Sequence, residues 1–131
     1  MKKAIATLFL IFLVLNGYSV AQEKAKEKSA PAHKMVEFHM ALLKRVPNWE
    51  EIKTTNPMAL EQAQTNYVNS LIERGNAVIA GRLTDDGEIR GVYILRAKTA
   101  AEAKEWADAS PAVKSGHLIT EIHPWWSEEV M

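Results

Sequence analysis

The centre of the chain carries two short apolar runs joined by a polar turn, and this pair limits the folds open to the sequence. Ala77–Leu83 reads AVIAGRL and Ile89–Ala97 reads IRGVYILRA, with TDDGE between them. Short runs rich in β-branched residues are typical of strands. Asp86-Gly87 predicts a hairpin turn, because glycine accepts a positive φ without a steric penalty. We therefore expect the two runs to pair as antiparallel neighbours.

A strand and a helix are predicted before this hairpin, and a helix and a strand after it. Met35–Val46 is apolar enough for a strand buried on both faces, and Asn56–Gly75 repeats apolar residues at helical steps of three and four. The predicted inward stripe of this helix consists of Leu60, Ala63, Tyr67, Val68, Leu71 and Ile72. Thr99 and Glu102 form a capping box that begins a second helix, because each side chain can accept a hydrogen bond from a free backbone N–H. His117–Trp125 is the last predicted strand.

The predicted order is therefore β-α-β-β-α-β, which belongs to the α+β class. Right-handed connections convert this order into a ferredoxin-like four-stranded antiparallel sheet with both helices on one face. Val92 and Ile94 point to one side of the sheet while Tyr93 and Leu95 point to the other, so the uncovered face is apolar as well. An exposed apolar face implies a partner. We expect a homodimer through this open sheet face, as in dimeric α/β barrels.

The N-terminus has the three parts of a secretory signal peptide. It has a basic start, an apolar run at Ala4–Leu15 and small residues at Ser19–Ala21. The run is shorter than the ~20 residues that cross a bilayer, which disfavours a retained membrane anchor. The mature protein is expected to be periplasmic or secreted. The predicted divisions are a signal peptide at 1–21, a flexible linker at 22–34, a folded domain at 35–126 and a C-terminal tail at 127–131.

The charge balance and the absence of cysteine exclude several classes of function. The chain has 16 basic and 16 acidic residues, and loss of Lys2 and Lys3 with the signal peptide leaves a net charge of −2. This balance does not favour binding to nucleic acid or to an anionic membrane, which would require a basic surface, so we expect neither partner. Without cysteine, thiol catalysis and thiolate metal sites are excluded.

Histidine and glutamate alternate on the first and last predicted strands, which are neighbours in this topology. Glu37 shares a face with His39, and Glu121 shares a face with His123. A His/Glu patch can hold a metal or transfer protons. Two-residue spacing on a strand more often marks a hydrated sheet edge or a dimer seam, so we predict no metal site and no cofactor.

Two polar residues lie where the pattern favours apolar side chains or a sharp turn. Gln64 is on or beside the apolar stripe of the first helix, and Ser110 ends the second helix before Pro111. Either they are structural, as a hydrogen-bonded amide and a turn hydroxyl, or both border one cleft that binds a small molecule. Arg82 either binds a carboxylate or lies in solvent. The further pocket candidates are His39, Arg82, Tyr93 and His117.

The motifs resemble those of the YCII-related domain family from about Met35 to Trp126. The segments that carry the resemblance are RGNAVIAGRLTDDGEIRGVYIL, TAAEAKEWADASPAVKSG and the ending EIHPWW. The resemblance implies a ferredoxin-like dimeric α/β barrel. It also implies a His–Asp acid/base dyad, at the positions that Gln64 and Ser110 occupy in this chain, and one branch of the family is linked to dehydrochlorination of chlorinated aromatic compounds.

Both positions of the implied dyad carry other residues in this chain, so the sequence identifies no catalytic residues. A glutamine amide does not exchange protons at neutral pH, and a serine hydroxyl supplies no countercharge. The chain also has Ala80-Gly81-Arg82 where the family often has Ala-Gly-Pro. We expect a non-catalytic or small-ligand-binding homodimer. The alternative is a lyase or isomerase acting on a small cyclic or aromatic substrate, with a relocated base such as His39 or His117.

Overall fold

A computed structural model describes residues 34–129 of the chain. The predicted signal peptide, and all of the predicted linker except Lys34, lie outside the described residues. Within 34–129, no helix is long and apolar enough to cross a bilayer.

The helices and strands follow the predicted order, with one additional short helix. This helix occupies the corner before the last strand, where only a turn was predicted. The last strand also continues past Trp126 to Glu129, so the first residues of the predicted tail at 127–131 are strand. The elements are β1 (Lys34–Arg45), a 3-10 turn (Trp49–Glu51), α1 (Pro57–Glu73), β2 (Ala77–Arg82), β3 (Ile89–Leu95), α2 (Ala100–Asp108), α3 (Pro111–Lys114) and β4 (Leu118–Glu129).

The four strands form one antiparallel sheet in the order β2-β3-β1-β4. β1 lies in the interior and pairs with β3 along one edge and with β4 along its whole length. This order, with one long crossover on each side of the central hairpin, confirms the ferredoxin-like α+β fold.

Local side-chain bonds explain where the two main helices begin. The Asn56 side chain accepts a hydrogen bond from the Ala59 N–H at 3.0 Å, and Pro57 takes the first helical position of α1. At the start of α2, the Thr99 hydroxyl accepts from the Glu102 N–H at 3.1 Å. The Glu102 carboxylate accepts from the Lys98 N–H at 2.7 Å, one residue before the N–H that a capping box normally uses.

The central hairpin forms as predicted, but for a different reason. Among the described residues, the only glycines with positive φ are Gly75 (74°) and Gly116 (80°), so the expected backbone role of Gly87 is wrong. The connection is longer than a two-residue turn, and the Arg90 guanidinium closes it. Arg90 Nη1 donates to the Asp85 carbonyl at 2.7 Å and to the Gly87 carbonyl at 3.1 Å.

The helices bury one face of the sheet. The sheet side of this core comes from alternate residues of β1 and β3, and the helix side is mostly alanine, which lets α2 approach the strands closely. The fully or almost fully buried members include Ala41, Leu43, Leu71, Tyr93, Leu95, Ala103 and Ala107.

The inward face of α1 differs from the predicted stripe at two positions. Leu71 is 0% exposed, whereas Ile72 is 43% exposed and Ala63 lies in solvent. Gln64 is half-buried and takes the inward position between Leu60 and Tyr67. The helix therefore rotates a polar amide toward the sheet, because that amide finds partners there.

Neighbouring residues of α1 provide a matched test of this packing. We expect Leu71→Ala to lower the free energy of unfolding by about 2–5 kcal/mol, because it opens a cavity in the core. Ile72→Ala should cost about 1 kcal/mol or less, because this side chain is partly in solvent. Urea unfolding followed by circular dichroism measures both. Equal losses for the two variants would contradict the observed helix orientation.

The other face of the sheet carries apolar side chains at its centre and a charged row at one end. Within residues 34–129 the buried side chains of the helices all belong to the opposite face. Lys44 Nζ lies 3.1 Å from both Glu88 Oε1 and Glu121 Oε2, and His123 Nε2 lies 2.6 Å from Glu121 Oε1. The alternation and register place on this face Met40, Leu42, Ile79, Val92 and Ile94.

Candidate functional site

A cleft of about 450 Å³ lies between α1 and the sheet and is called here the α1 cleft. Its apolar walls come from Leu43 of β1, Val68 of α1 and Leu118 of β4. Its volume lies in the range of pockets that hold small molecules, and a few polar groups converge on it, as is usual for such pockets.

A glycine keeps the sheet side of the cleft open. Gly91 of β3 faces the helices, opposite Leu43 in the β1–β3 register. A Cβ atom on this residue would lie 3.2 Å from the Gly81 carbonyl oxygen and 3.6 Å from the Leu43 Cβ. A larger side chain would therefore enter the cleft or push against β2.

Gln64 is held in one orientation at the inner end of the cleft. The Ala112 N–H, at the start of α3, donates to Gln64 Oε1 at 3.0 Å. The amide nitrogen must then face the sheet, where Gln64 Nε2 donates to the Tyr93 hydroxyl oxygen at 2.5 Å. The amide therefore joins α1 to both β3 and α3.

Ser110 continues the same series of hydrogen bonds. Its side chain is 0% exposed, and its Oγ donates to the Ala107 carbonyl at 2.5 Å. The Tyr93 hydroxyl also bonds to the Ser110 hydroxyl. We call this series, which runs from Gln64 through Tyr93 to Ser110, the Gln64–Tyr93–Ser110 chain.

The Gln64–Tyr93–Ser110 chain carries no charge near physiological pH. Burial raises the pKa of the Tyr93 phenol, and its hydrogen bonds with Ser110 and Gln64 lower that pKa by less. The phenol therefore stays protonated well above neutral pH, and neither an amide nor an aliphatic hydroxyl titrates there. The Gln64–Tyr93–Ser110 chain can orient a ligand, but it supplies no group that exchanges protons readily at pH 7.

An ion pair spans the mouth of the cleft. Arg82, the last residue of β2, and Glu61 of α1 both line the opening. Arg82 Nη1 lies 2.8 Å from Glu61 Oε1, and the two side chains are 77% and 63% exposed. The pair thus joins helix and sheet in a solvated position.

Neither candidate histidine of the pocket lines the α1 cleft. His39 is buried on the helix side of β1, where its Nδ1 lies 3.1 Å from the Ala97 carbonyl oxygen. His117 Nε2 lies 2.5 Å from Thr54 Oγ1, and its Nδ1 lies 2.8 Å from Ser115 Oγ. The structure therefore brings Gln64, Tyr93 and Arg82 together at the cleft, and it leaves the fully buried Ser110 and both histidines outside the lining.

The His/Glu patch suggested by the strand pattern does not form. His123 pairs with Met40, the neighbour of His39, so His39 and His123 point to opposite faces of the sheet. The one-residue offset in register separates the two histidines. Within the described part of the chain, no group of three or more His, Asp or Glu residues could hold a metal ion.

Several residues of the cleft were not singled out from the sequence, among them Glu61, Gly91 and Leu118. Glu61 precedes Gln64 by one helical turn, so the two share a helix face, and this spacing is a signal that could have found it. Gly91 and Leu118 come from strands that meet only in the folded sheet, and the sequence carries no local sign of their role.

A double-mutant cycle tests the Gln64–Tyr93–Ser110 chain. We expect Tyr93→Phe and Ser110→Ala each to cost about 1–2 kcal/mol of unfolding free energy, because each leaves buried partners without a hydrogen bond. The double variant should lose at least ~0.5 kcal/mol less than the sum of the two, since both remove the same link. Chemical denaturation of the four proteins measures this coupling.

Tyr67 provides the control for that cycle. Its hydroxyl donates to the Trp106 carbonyl at 2.6 Å and has no bond to Ser110. Tyr67→Phe combined with Ser110→Ala should therefore be additive within about 0.5 kcal/mol. Additivity in the Tyr93 cycle as well would refute the shared link.

Comparison with solved structures finds a similar chain in 5-chloro-2-hydroxyhydroquinone dehydrochlorinase from Burkholderia phenoliruptrix, solved in complex with 2,5-dihydroxybenzoquinone. The sequence identity is 18% and the TM-score is 0.48, and the alignment covers 67% of this chain and 92% of that one. A search of the curated proteins gave no significant match.

Comparison with protein families gives a match over most of the sequence. The profile of the YCII-related domain aligns with residues 18–126. This range includes the whole α1 cleft, and its start precedes the predicted end of the signal peptide. The chain belongs to the YCII-related domain family.

Proposed function

We propose that this YCII-related domain binds a small molecule in the α1 cleft and does not perform the proton transfer expected of a His–Asp dyad. One observation carries the proposal: the two dyad positions, Gln64 and Ser110, are joined through the Tyr93 hydroxyl into a chain of neutral hydrogen bonds beside an open cleft.

The directions of these hydrogen bonds support binding rather than acid/base chemistry. Gln64 Oε1 accepts from the backbone, its Nε2 donates to Tyr93, and the Ser110 proton goes to a backbone carbonyl. A general base needs a free lone pair on a group whose pKa lies near the working pH. The Tyr93 phenol, with its pKa raised by burial, is protonated at neutral pH and does not meet this requirement.

The enzymatic alternative would need a base from outside the cleft. The Ser115 hydroxyl donates to the Ala112 carbonyl at 3.1 Å, so its oxygen accepts from His117 Nδ1–H, and the Nε2 atom of the same ring bonds to the Thr54 hydroxyl. Both nitrogens of this ring are therefore engaged by residues that do not line the cleft. The contacts of His117 favour a structural role that ties the chain before α1 to the corner after α3.

We propose further that the domain acts as a homodimer through its open sheet face after export and removal of the signal peptide. Support for the dimer comes from Ile79, which is 65% exposed beside Ile94 on that face. A second copy would cover the apolar centre, which a single domain of this size leaves in contact with water.

The ligand site is tested by narrowing its mouth. Thr65 is exposed on α1 and lines the cleft, whereas Gln62 is exposed on α1 and does not line it. We expect the mature protein to bind ring-sized probes such as hydroquinone or 4-hydroxybenzoate, and Thr65→Trp to weaken that binding at least about tenfold by occupying the cleft. Gln62→Trp should bind as the wild type does. Ligand-observed nuclear magnetic resonance titrations measure these affinities.

The Gln64→His/Ser110→Asp variant separates binding from catalysis in the same set of proteins. With 5-chloro-2-hydroxyhydroquinone as the probe, chloride release should be absent from the wild type and should appear only when the imidazole and the carboxylate are restored. Equal chloride release by both proteins would show that these positions do not control the chemistry. Binding that Thr65→Trp leaves unchanged would contradict the α1 cleft as the ligand site.

The dimer is tested by placing a charge on the open face. Ile79→Lys should convert a dimer into a monomer in sedimentation velocity, because an ammonium group loses its hydration when the two sheets pack. Met58 is 82% exposed on α1, on the other side of the sheet, so Met58→Lys should leave the dimer intact. A wild-type protein that sediments as a monomer at micromolar concentration would refute this assembly.

A further inference from the structure

We propose that Arg82 makes the α1 cleft selective for small ligands that carry a carboxylate, and that Glu61 takes the place of this carboxylate while the cleft is empty. The inference rests on the ligand-binding function proposed above and adds the chemical class of the ligand. It follows from the Arg82–Glu61 ion pair at the mouth of the cleft and from the Gln64–Tyr93–Ser110 chain at its inner end.

The ion pair can be exchanged at little cost. Arg82 and Glu61 lie on different elements, are largely exposed and are joined by one contact of 2.8 Å between Nη1 and Oε1. Exposed ion pairs contribute little net stability because water solvates both charges well. A ligand carboxylate that enters the cleft can therefore replace Glu61 at the guanidinium.

The guanidinium has the donors to hold that carboxylate more firmly than it holds Glu61. Among the described residues, its hydrogen bonding is limited to the single Nη1 contact, out of five N–H donors. Arginine and a carboxylate can form two parallel hydrogen bonds, which are stronger and more directional than one. A ligand that is free to orient itself can adopt this paired geometry.

The other cation of the cleft is already committed. Arg90 lines the same cavity, but its Nη1 donates to the Asp85 carbonyl at 2.7 Å and its Nη2 donates to the Leu83 carbonyl at 3.3 Å. Removing Arg90 from these carbonyls would open the hairpin between β2 and β3. Anion recognition therefore falls to Arg82.

The distance between the two polar ends indicates the size of the ligand. Tyr93 pairs with Ala80, and Arg82 lies two residues further along β2 on the same face, so the backbone positions that carry these two side chains are offset by about 7 Å along the strand direction. Gln64 Nε2 keeps a second N–H beside the Tyr93 hydroxyl. One ring, with a carboxylate at one end and a hydroxyl at the other, spans this distance between the apolar walls.

Matched acidic and neutral probes test the inference. We expect 4-hydroxybenzoate to bind the mature protein about tenfold more tightly than 4-hydroxybenzamide, which has the same shape and no charge. Arg82→Gln should remove this preference and leave the affinity for the amide unchanged. Glu61→Gln should tighten the binding of the acid several-fold, because its competitor is gone. Isothermal titration calorimetry measures these affinities.

Arg74 provides the control arginine. It lies at the end of α1, bonded to the Ser70 carbonyl at 3.1 Å and outside the cleft lining, so Arg74→Gln should keep the preference for the acid. An equal affinity of the wild type for acid and amide, or a preference that survives Arg82→Gln, would overturn the inference. Binding that is still weakened by Thr65→Trp would then leave the proposed ligand site standing. Absence of any binding sensitive to Thr65→Trp would overturn both.

Discussion

The Tyr93 hydroxyl is the point on which the site depends, because it is a buried polar group with partners on two other parts of the fold. It accepts from Gln64 of α1 and bonds to Ser110, which precedes α3, while its ring belongs to the core between β3 and the helices. A buried hydroxyl without partners would destabilise the domain. The need to satisfy it therefore orients α1 and holds the corner after α2 against the sheet.

The same arrangement explains why the cleft can remain open beside a well-packed core. Leucine, tyrosine and alanine side chains fill the space under α2, whereas Gly91 and the polar side of α1 leave room nearer the ends of β2 and β3. The packed core and the open cleft are thus separated along the sheet, and Tyr93 belongs to both. This separation supports the proposal that the cleft takes a ligand whose polar ends meet Tyr93 and Arg82.

The polar pair at the dyad positions was apparent in the sequence, but its geometry was not. Gln64 and Ser110 stood out because each interrupts a local pattern, and Arg82 stood out as an added charge. The link between Gln64 and Ser110 through Tyr93 cannot be predicted from local sequence patterns, because it joins residues of α1, β3 and the corner before α3. The suggested patch of His39 and His123 is absent for a similar reason, since the register between β1 and β4 decides which side chains share a face.

The sequence by itself determined the element order, the central hairpin, the caps of both helices and hence the ferredoxin-like sheet, because these depend on periodicity, turn residues and short-range hydrogen bonds. Only the tertiary structure decided that Gln64 turns inward while Ile72 turns out, that Arg90 closes the hairpin without a glycine at positive φ, and that Glu61 meets Arg82 across a cleft. These outcomes depend on long-range pairing, in which the rotation of a helix or the register of a strand changes every neighbour of a side chain.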